Sequence, residues 1–303
     1  YETRLDAPSH ARDVYLEVVS RDSQHRGALR ALEQLDRRAG HSEELIETLR
    51  LQLASTPWSD AAAELYHRIG KIFEQRLGRT DEALEAYRAA ISKDPGHRQA
   101  VDALIRLTSS LGLWQELSDL YETQAKLGDD PLVQARNWFR VGELCEEKLK
   151  DEHHARAAYD KALELDEDLD LAHDGIVRIL EGQAKWEDAT QAHLSRLNRR
   201  GGAEKLATFL RVADLRATRI NDLRNALAAL QEASELAPQD IAVHEDLVRV
   251  CRTQRQWEKL GIAYGKLATN LSDPADSAAI LHRAALEAKT HTSVGDVSDI
   301  YHR

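Results

Sequence analysis

Leu77-Gly-Arg-Thr-Asp-Glu-Ala83-Leu-Glu-Ala-Tyr87-Arg-Ala-Ala-Ile-Ser-Lys-Asp-Pro95 decides the fold, because it recurs. Leu149-Lys-Asp-Glu-His-His-Ala155-Arg-Ala-Ala-Tyr159-Asp-Lys-Ala-Leu-Glu-Leu-Asp166 repeats its frame 72 residues later. Ile220, with Ala226, Leu230 and Pro238, repeats it again at an offset of 71, and Leu5, with Ala11 and Tyr15, precedes it by 72. Trp114, Trp186 and Trp257 keep the same stride, and Leu117, Ala189 and Leu260 follow them at three residues. In the first repeat the Trp position is Ser42, followed by Leu45. A fixed period of this kind marks an array of supersecondary units, none of which hides its apolar face alone.

Each 72-residue repeat reads as two helical hairpins. Leu65, Ile69, Ile72 and Phe73 recur at helical spacing within residues 59–77. Gly78 ends that helix as a glycine after the last turn commonly does. Thr80 reads as the N-cap of the next helix, with Asp81 and Glu82 in its first turn. Ala83, Tyr87 and Ala90 make its buried face, and the ring of Pro95 blocks continuation. A second pair follows at about 96–111 and 113–127, and Gly128-Asp-Asp-Pro131 closes the repeat.

Tyr66, Ile69, Gly70, Phe73, Gly78, Ala83, Tyr87, Ala90 and Pro95 resemble the packing pattern of the tetratricopeptide-repeat family. Trp138, Val141, Gly142, Cys145, Ala155, Tyr159 and Ala162 fill it one repeat on, and Phe209, Val212, Ala213, Ala226 and Pro238 after that. The first helix of these hairpins carries one residue more than the family pattern before its turn. In the second hairpin Leu117 and Gln124 stand where small alanines are usual. The resemblance implies an all-α, right-handed α-solenoid of stacked antiparallel hairpins, about seven complete ones plus partial ones. It would run as one array over 1–303, in repeats of about 1–58 (partial), 59–130, 131–202, 203–274 and 275–303 (partial). Tyr1 aligns with Phe73 in mid-helix, Ala275 to Lys289 align with the helix starting near Asp60, and residues 294–303 stop inside the following helix. Neither end carries a polar capping repeat, so an interior slice of a longer protein is expected.

Composition fits an ordered helical chain: 42% hydrophobic and 31% charged residues with six prolines among 303. The net charge of −11 has the wrong sign for phosphate binding, which tells against RNA, and for anionic membranes. No run of 18 apolar residues is present. Cys145 and Cys251 lie at apolar helix positions and read as core, which favours a reducing compartment, the cytoplasm.

Such a fold presents a concave groove lined by the first helix of each hairpin. Arg68, Arg140, Arg211 and Arg283 form one periodic row on it; Arg106, Arg178 and Arg249 form another. Their bidentate guanidinium groups suit partner carboxylates, so an acidic peptide is the expected guest. Asp102, Asp174 and Glu245 stand four residues before the second row, the favourable order for ion pairs within a helix. The first row has no such built-in partner. Relatives that grip C-terminal carboxylates use lysines and asparagines at groove positions. Lys71 sits near Arg68, but the equivalent sites are Arg106 and Glu143 and the asparagines are absent, so that specificity is not carried over.

The tryptophans open second helices and read as inter-hairpin packing. The adjacent pair His153-His154 lacks metal-ligand spacing, and His41, His67, His97 and His173 read as surface or packing residues. No phosphate loop, GxSxG or HExxH is present, so no catalytic residue, metal or cofactor is expected. The expected function is a protein–protein interaction scaffold, with self-association as one form of it. The alternatives are a regulatory or substrate-recruiting arm of a larger enzyme and, least, an RNA-binding repeat.

Overall fold

A computed structural model describes residues 8–56, 59–197 and 201–291. The expectations placed on Tyr1, Leu5 and residues 294–303 lie outside them. Among the described residues there are only helices. They group into two compact units, Tyr1–Leu169 and Asp170–Arg303, a division that falls between the two hairpins of the 131–202 repeat.

In the first unit the helices are α1 (Pro8–Arg21), α2 (Arg26–Ala39), α3 (Ser42–Ala54), α4 (Ser59–Ile72), α5 (Thr80–Lys93), α6 (Arg98–Leu111), α7 (Trp114–Leu127), α8 (Pro131–Leu144) and α9 (Glu152–Leu165). The second holds α10 (Asp170–Gly182), α11 (Trp186–Ser195), α12 (Gly202–Leu215), α13 (Leu223–Leu236), α14 (Ile241–Thr253), α15 (Trp257–Asn270) and α16 (Pro274–His291). Within each unit every helix packs on its chain neighbours, as a solenoid requires.

The hairpin α4–α5 shows why these residues fold this way. Leu65, Ile69, Ile72 and Phe73 on one side and Ala83, Leu84, Tyr87 and Ala90 on the other are all buried, as the spacing predicts. Each large apolar side chain so removed from water contributes roughly 1.5–3 kcal/mol. The core continues from Leu45, Ile46 and Leu49 of α3 to Leu104 and Leu107 of α6. Asp81 and Glu82 lie at the positive end of α5. Its last turn gives way to extended Asp94, the backbone that a following proline demands. Thr80, expected as the cap, is instead the first helical residue, and Arg79 precedes it without a side-chain cap bond. The equivalent Asp151 and Asp222 do cap, accepting from the amides of His154 and Asn225. In the second unit a single core runs from Val212 on α12 to Ala284 on α16.

The extra residue noticed before each turn has a structural form. It is absorbed as a π-helical turn at the end of α4, α8 and α12, at Phe73–Leu77, Cys145–Leu149 and Arg216–Ile220. The amides of Arg79, Asp151 and Asp222 close these turns onto the carbonyls of Phe73, Cys145 and Arg216, at 2.9, 2.9 and 2.8 Å. Each turn then exits through a left-handed residue, Gly78, Lys150 or Asn221.

Candidate functional site

The first helices of the hairpins carry the arginine rows, and the structure places each arginine. On α4, Arg68 donates to Glu33 of α2, the preceding first helix. Gln52 of α3 donates to the other oxygen of the same carboxylate at 2.9 Å. Burial would raise the pKa of Glu33, but the Gln52 amide and the Arg68 guanidinium outweigh it and hold the carboxyl below its usual value. On α6, Arg106 reaches back to Glu74 in the π turn after α4, at 2.5 Å. Tyr87 donates its phenol to the same glutamate at 2.9 Å. Arg211 on α12 meets Glu181 of α10 at 2.5 Å. Among the described residues Arg140 on α8 and Arg249 on α14 bind only carboxylates of their own helices, Glu143 at 2.6 Å and Asp246 at 2.7 Å. Lys71, Arg178 and Arg283 are exposed.

Two sequence expectations are corrected by these contacts. In the first row Arg140 and Arg211 do have carboxylates within their own helices, Glu143 and Asp214, while Arg68 and Arg211 also reach the preceding first helix. In the second row Arg106 and Arg249 do not take Asp102 and Glu245. A neighbouring helix offers Arg106 the part-buried Glu74, where a charge-assisted bond is stronger than one in open solvent. The residue equivalent to Glu74 in the later repeat is Ala217, so Arg249 turns to Asp246 instead. Asp174 is bonded to Arg196 at 2.7 Å. Glu33, Glu74 and Glu181 went unrecognised in the sequence because they lie 30 to 35 residues from their arginines, outside any helical spacing.

In the second unit one cleft of about 460 Å³ forms beside Arg211. Glu181, Trp186, Arg211, Asp214, Thr218 and Arg219 line it. Trp186 opens α11, and Arg219, in the π turn after α12, lies 5.2 Å from its ring centroid. No carboxylate meets Arg219 among the described residues. In the first unit Trp114 has the same relation to Lys148, at 5.5 Å. Both tryptophans are half-buried, each beside a cation of the next first helix's π turn. Cys145 and Cys251 are buried free thiols whose pKa values burial pushes up, that of Cys251 to about 11. No helix among the described residues is long and apolar enough to cross a membrane.

The family model described as tetratricopeptide repeat matches residues 63–97 and 135–169, the hairpins α4–α5 and α8–α9. No curated protein matches the chain. Among solved structures, a tetratricopeptide repeat protein from Parabacteroides merdae is 16% identical, with 88% of this chain and 97% of that one covered and a TM-score of 0.34. YrrB, described as a TPR protein with an unusual peptide-binding site, is 17% identical over 60% and 89% of the two chains, with a TM-score of 0.37. PilF of Pseudomonas aeruginosa is 16% identical over 79% and 97%, with a TM-score of 0.35. The two matched hairpins stand one 72-residue stride apart, and that stride continues through the helices around them; the chain carries tetratricopeptide repeats at residues 63–97 and 135–169.

Proposed function

We propose that the chain is a protein-binding scaffold, and that the cleft between α10, α11 and α12 takes an extended segment of a partner carrying both a carboxylate and an apolar side chain. The observation that carries this reading is the pairing of Trp186 with Arg219, a flat apolar face beside a cation with no carboxylate of its own. Tryptophan and arginine are the residue types that concentrate binding energy at protein interfaces. The groove arginines Arg68, Arg106, Arg140, Arg178, Arg211, Arg249 and Arg283 serve this role unequally. Arg68, Arg106 and Arg211 brace neighbouring helices. Arg140, 58% exposed, and Arg249, 62% exposed, offer a partner more. A preformed surface avoids ordering costs on the scaffold side. The buried free thiols suit a reducing compartment, for which the cytoplasm is the natural proposal.

The test is fluorescence anisotropy with a panel of labelled acidic peptides, with and without one aromatic or leucine residue. Trp186→Ala and Arg219→Glu should each weaken the best binder by at least about tenfold, or 1.4 kcal/mol, while Arg88→Glu, remote in sequence, should not. Equal binding by all variants would sink the cleft. Sedimentation equilibrium in parallel separates partner capture from self-association.

A further inference from the structure

The geometry points to a binding site for one divalent transition metal ion of the zinc class, held by Glu64, His67 and His97. Glu64 and His67 lie on α4; His97 caps α6. One donor atom from each lies within 4.8 Å of the other two. Glu64 Oε2 is 3.2 Å from His97 Nε2 and 3.9 Å from His67 Nδ1. Two imidazoles and a carboxylate are a ligand set that zinc accepts, leaving one coordination position for water. Tetrahedral ligands at zinc distances sit about 3.4 Å apart, so the cluster needs to contract by roughly 1 Å. Glu64 already stands near such a distance from both histidines, so the movement falls to the two imidazoles, whose ring centroids are 5.3 Å apart.

The second observation is the burial of His67. It is only 9% exposed, yet its Nδ1 has no hydrogen-bond partner. A buried polar atom without a partner costs about 1–3 kcal/mol. Core packing gives no reason to bear that cost. One repeat later the same slot holds Phe139, whose ring meets Tyr159 at 5.8 Å and 36°; His67 meets Tyr87 at 5.8 Å and 34°. In that later repeat Arg136 stands for Glu64 and Leu169 for His97. The three donors therefore occur together in one repeat, where the architecture itself asks for none of them. Burial lowers the pKa of His67, which keeps the imidazole neutral and its lone pair available near pH 7.

His97 must adjust when the ion binds. Its Nδ1 now accepts from the Ala100 amide at 3.2 Å, so the neutral ring carries its proton on Nε2. Metal ligation through Nε2 moves that proton to Nδ1 and leaves the Ala100 amide only its bond to the His97 carbonyl, at 3.1 Å. The cost is a helix cap, about 1 kcal/mol, small beside the free energy of a structural metal site. His25 caps α2 through the Ala28 amide at 3.1 Å in the same way, outside the cluster, and serves as an internal control.

The experiment is titration of the full chain with zinc against a chromophoric chelator, with cobalt(II) as the spectroscopic substitute. One equivalent should bind at micromolar or tighter dissociation constant, and cobalt should give the visible bands of a four-coordinate site. His67→Phe reproduces the Phe139 slot and should weaken binding at least tenfold. Glu64→Gln, at an exposed side chain, should do the same and guards against a folding defect in the first variant. Zinc should speed amide exchange at Ala100 and leave Ala28 unchanged. Absence of a stoichiometric ion, or equal affinity in both variants, overturns the site and assigns any binding to surface histidines.

Discussion

Gly70 is an imprint of Tyr87: a methyl carbon built on the glycine would lie 2.7 Å from Cε1 of the tyrosine ring. Gly142 and Tyr159 repeat the relation. In the next repeat the pair becomes Ala213 and Leu230, both buried. Close approach of a large ring to a helix backbone thus requires glycine, and a narrower side chain releases it. Gly70→Ala should destabilise the chain by about 1–3 kcal/mol through overpacking. Tyr87→Leu in the same chain should recover part of that loss. A double-mutant cycle read by urea unfolding measures the coupling, and strict additivity of the two changes would refute the relation.

The left-handed turn residues make a second prediction. Gly40, Gly112, Ala184 and Arg255 occupy one turn of successive repeats, and all have φ between 55° and 74°. Gly78, Lys150 and Asn221 occupy another. Left-handed backbone costs a residue with a Cβ roughly 1–2 kcal/mol relative to its usual conformations. Ala184→Gly and Lys150→Gly should therefore each raise the unfolding midpoint, by an amount near 1 kcal/mol less the extra entropy that glycine has when unfolded. Gly112→Ala should lower it.

The stride and the apolar spacing made the hairpins legible in the sequence, since both live within one helix or between residues one repeat apart. The turn frame was legible for the same reason. The fate of the extra residue was not: spacing shows that a residue is added, but only backbone hydrogen bonding shows that Phe73–Leu77 takes it up as a π turn. The arginine rows were visible and their partners were not. Glu33 and Glu181 are brought to Arg68 and Arg211 by packing of one hairpin on the next, and no local periodicity encodes that distance. His67 and His97 read as scattered for the same reason, being 30 residues apart in sequence and 5.3 Å apart between ring centroids.

Glu74 supplies a pH prediction with a definite sign. The Arg106 guanidinium, and then the Tyr87 phenol, hold its carboxyl below the usual 4.5, against a burial effect of opposite direction. A depressed folded pKa contributes stability that is fully present above the unfolded value and is lost as pH falls through the folded one. Unfolding free energy should therefore decline below about pH 4.5. Glu74→Gln should cost about 1 kcal/mol at pH 7, and the difference from wild type should shrink as pH falls and Glu74 takes up its proton. Urea titrations across that range check this; a pH-independent difference would contradict it.

Asp36 carries the last prediction. This carboxylate is 1% exposed on α2, accepting from Arg12 Nε of α1 at 2.8 Å and from Thr48 Oγ1 of α3 at 2.7 Å. It ties three successive helices where the later repeats use other chemistry. One stride on, the same three positions hold Leu84, Thr108 and Leu120. There Thr108 bonds the Leu104 carbonyl of its own helix at 2.7 Å and asks nothing of its neighbours. Asp36→Ala should cost about 3–5 kcal/mol, because Arg12 loses its buried counterion and Thr48 its acceptor. The triple change Arg12→Leu, Asp36→Thr and Thr48→Leu transplants the apolar solution and should restore stability to within about 1 kcal/mol of the starting chain, since a buried ion pair and its apolar replacement are often equivalent. If the triple variant unfolds as readily as Asp36→Ala, the two repeats are not interchangeable at this position, and the first hairpin depends on its charge for more than packing.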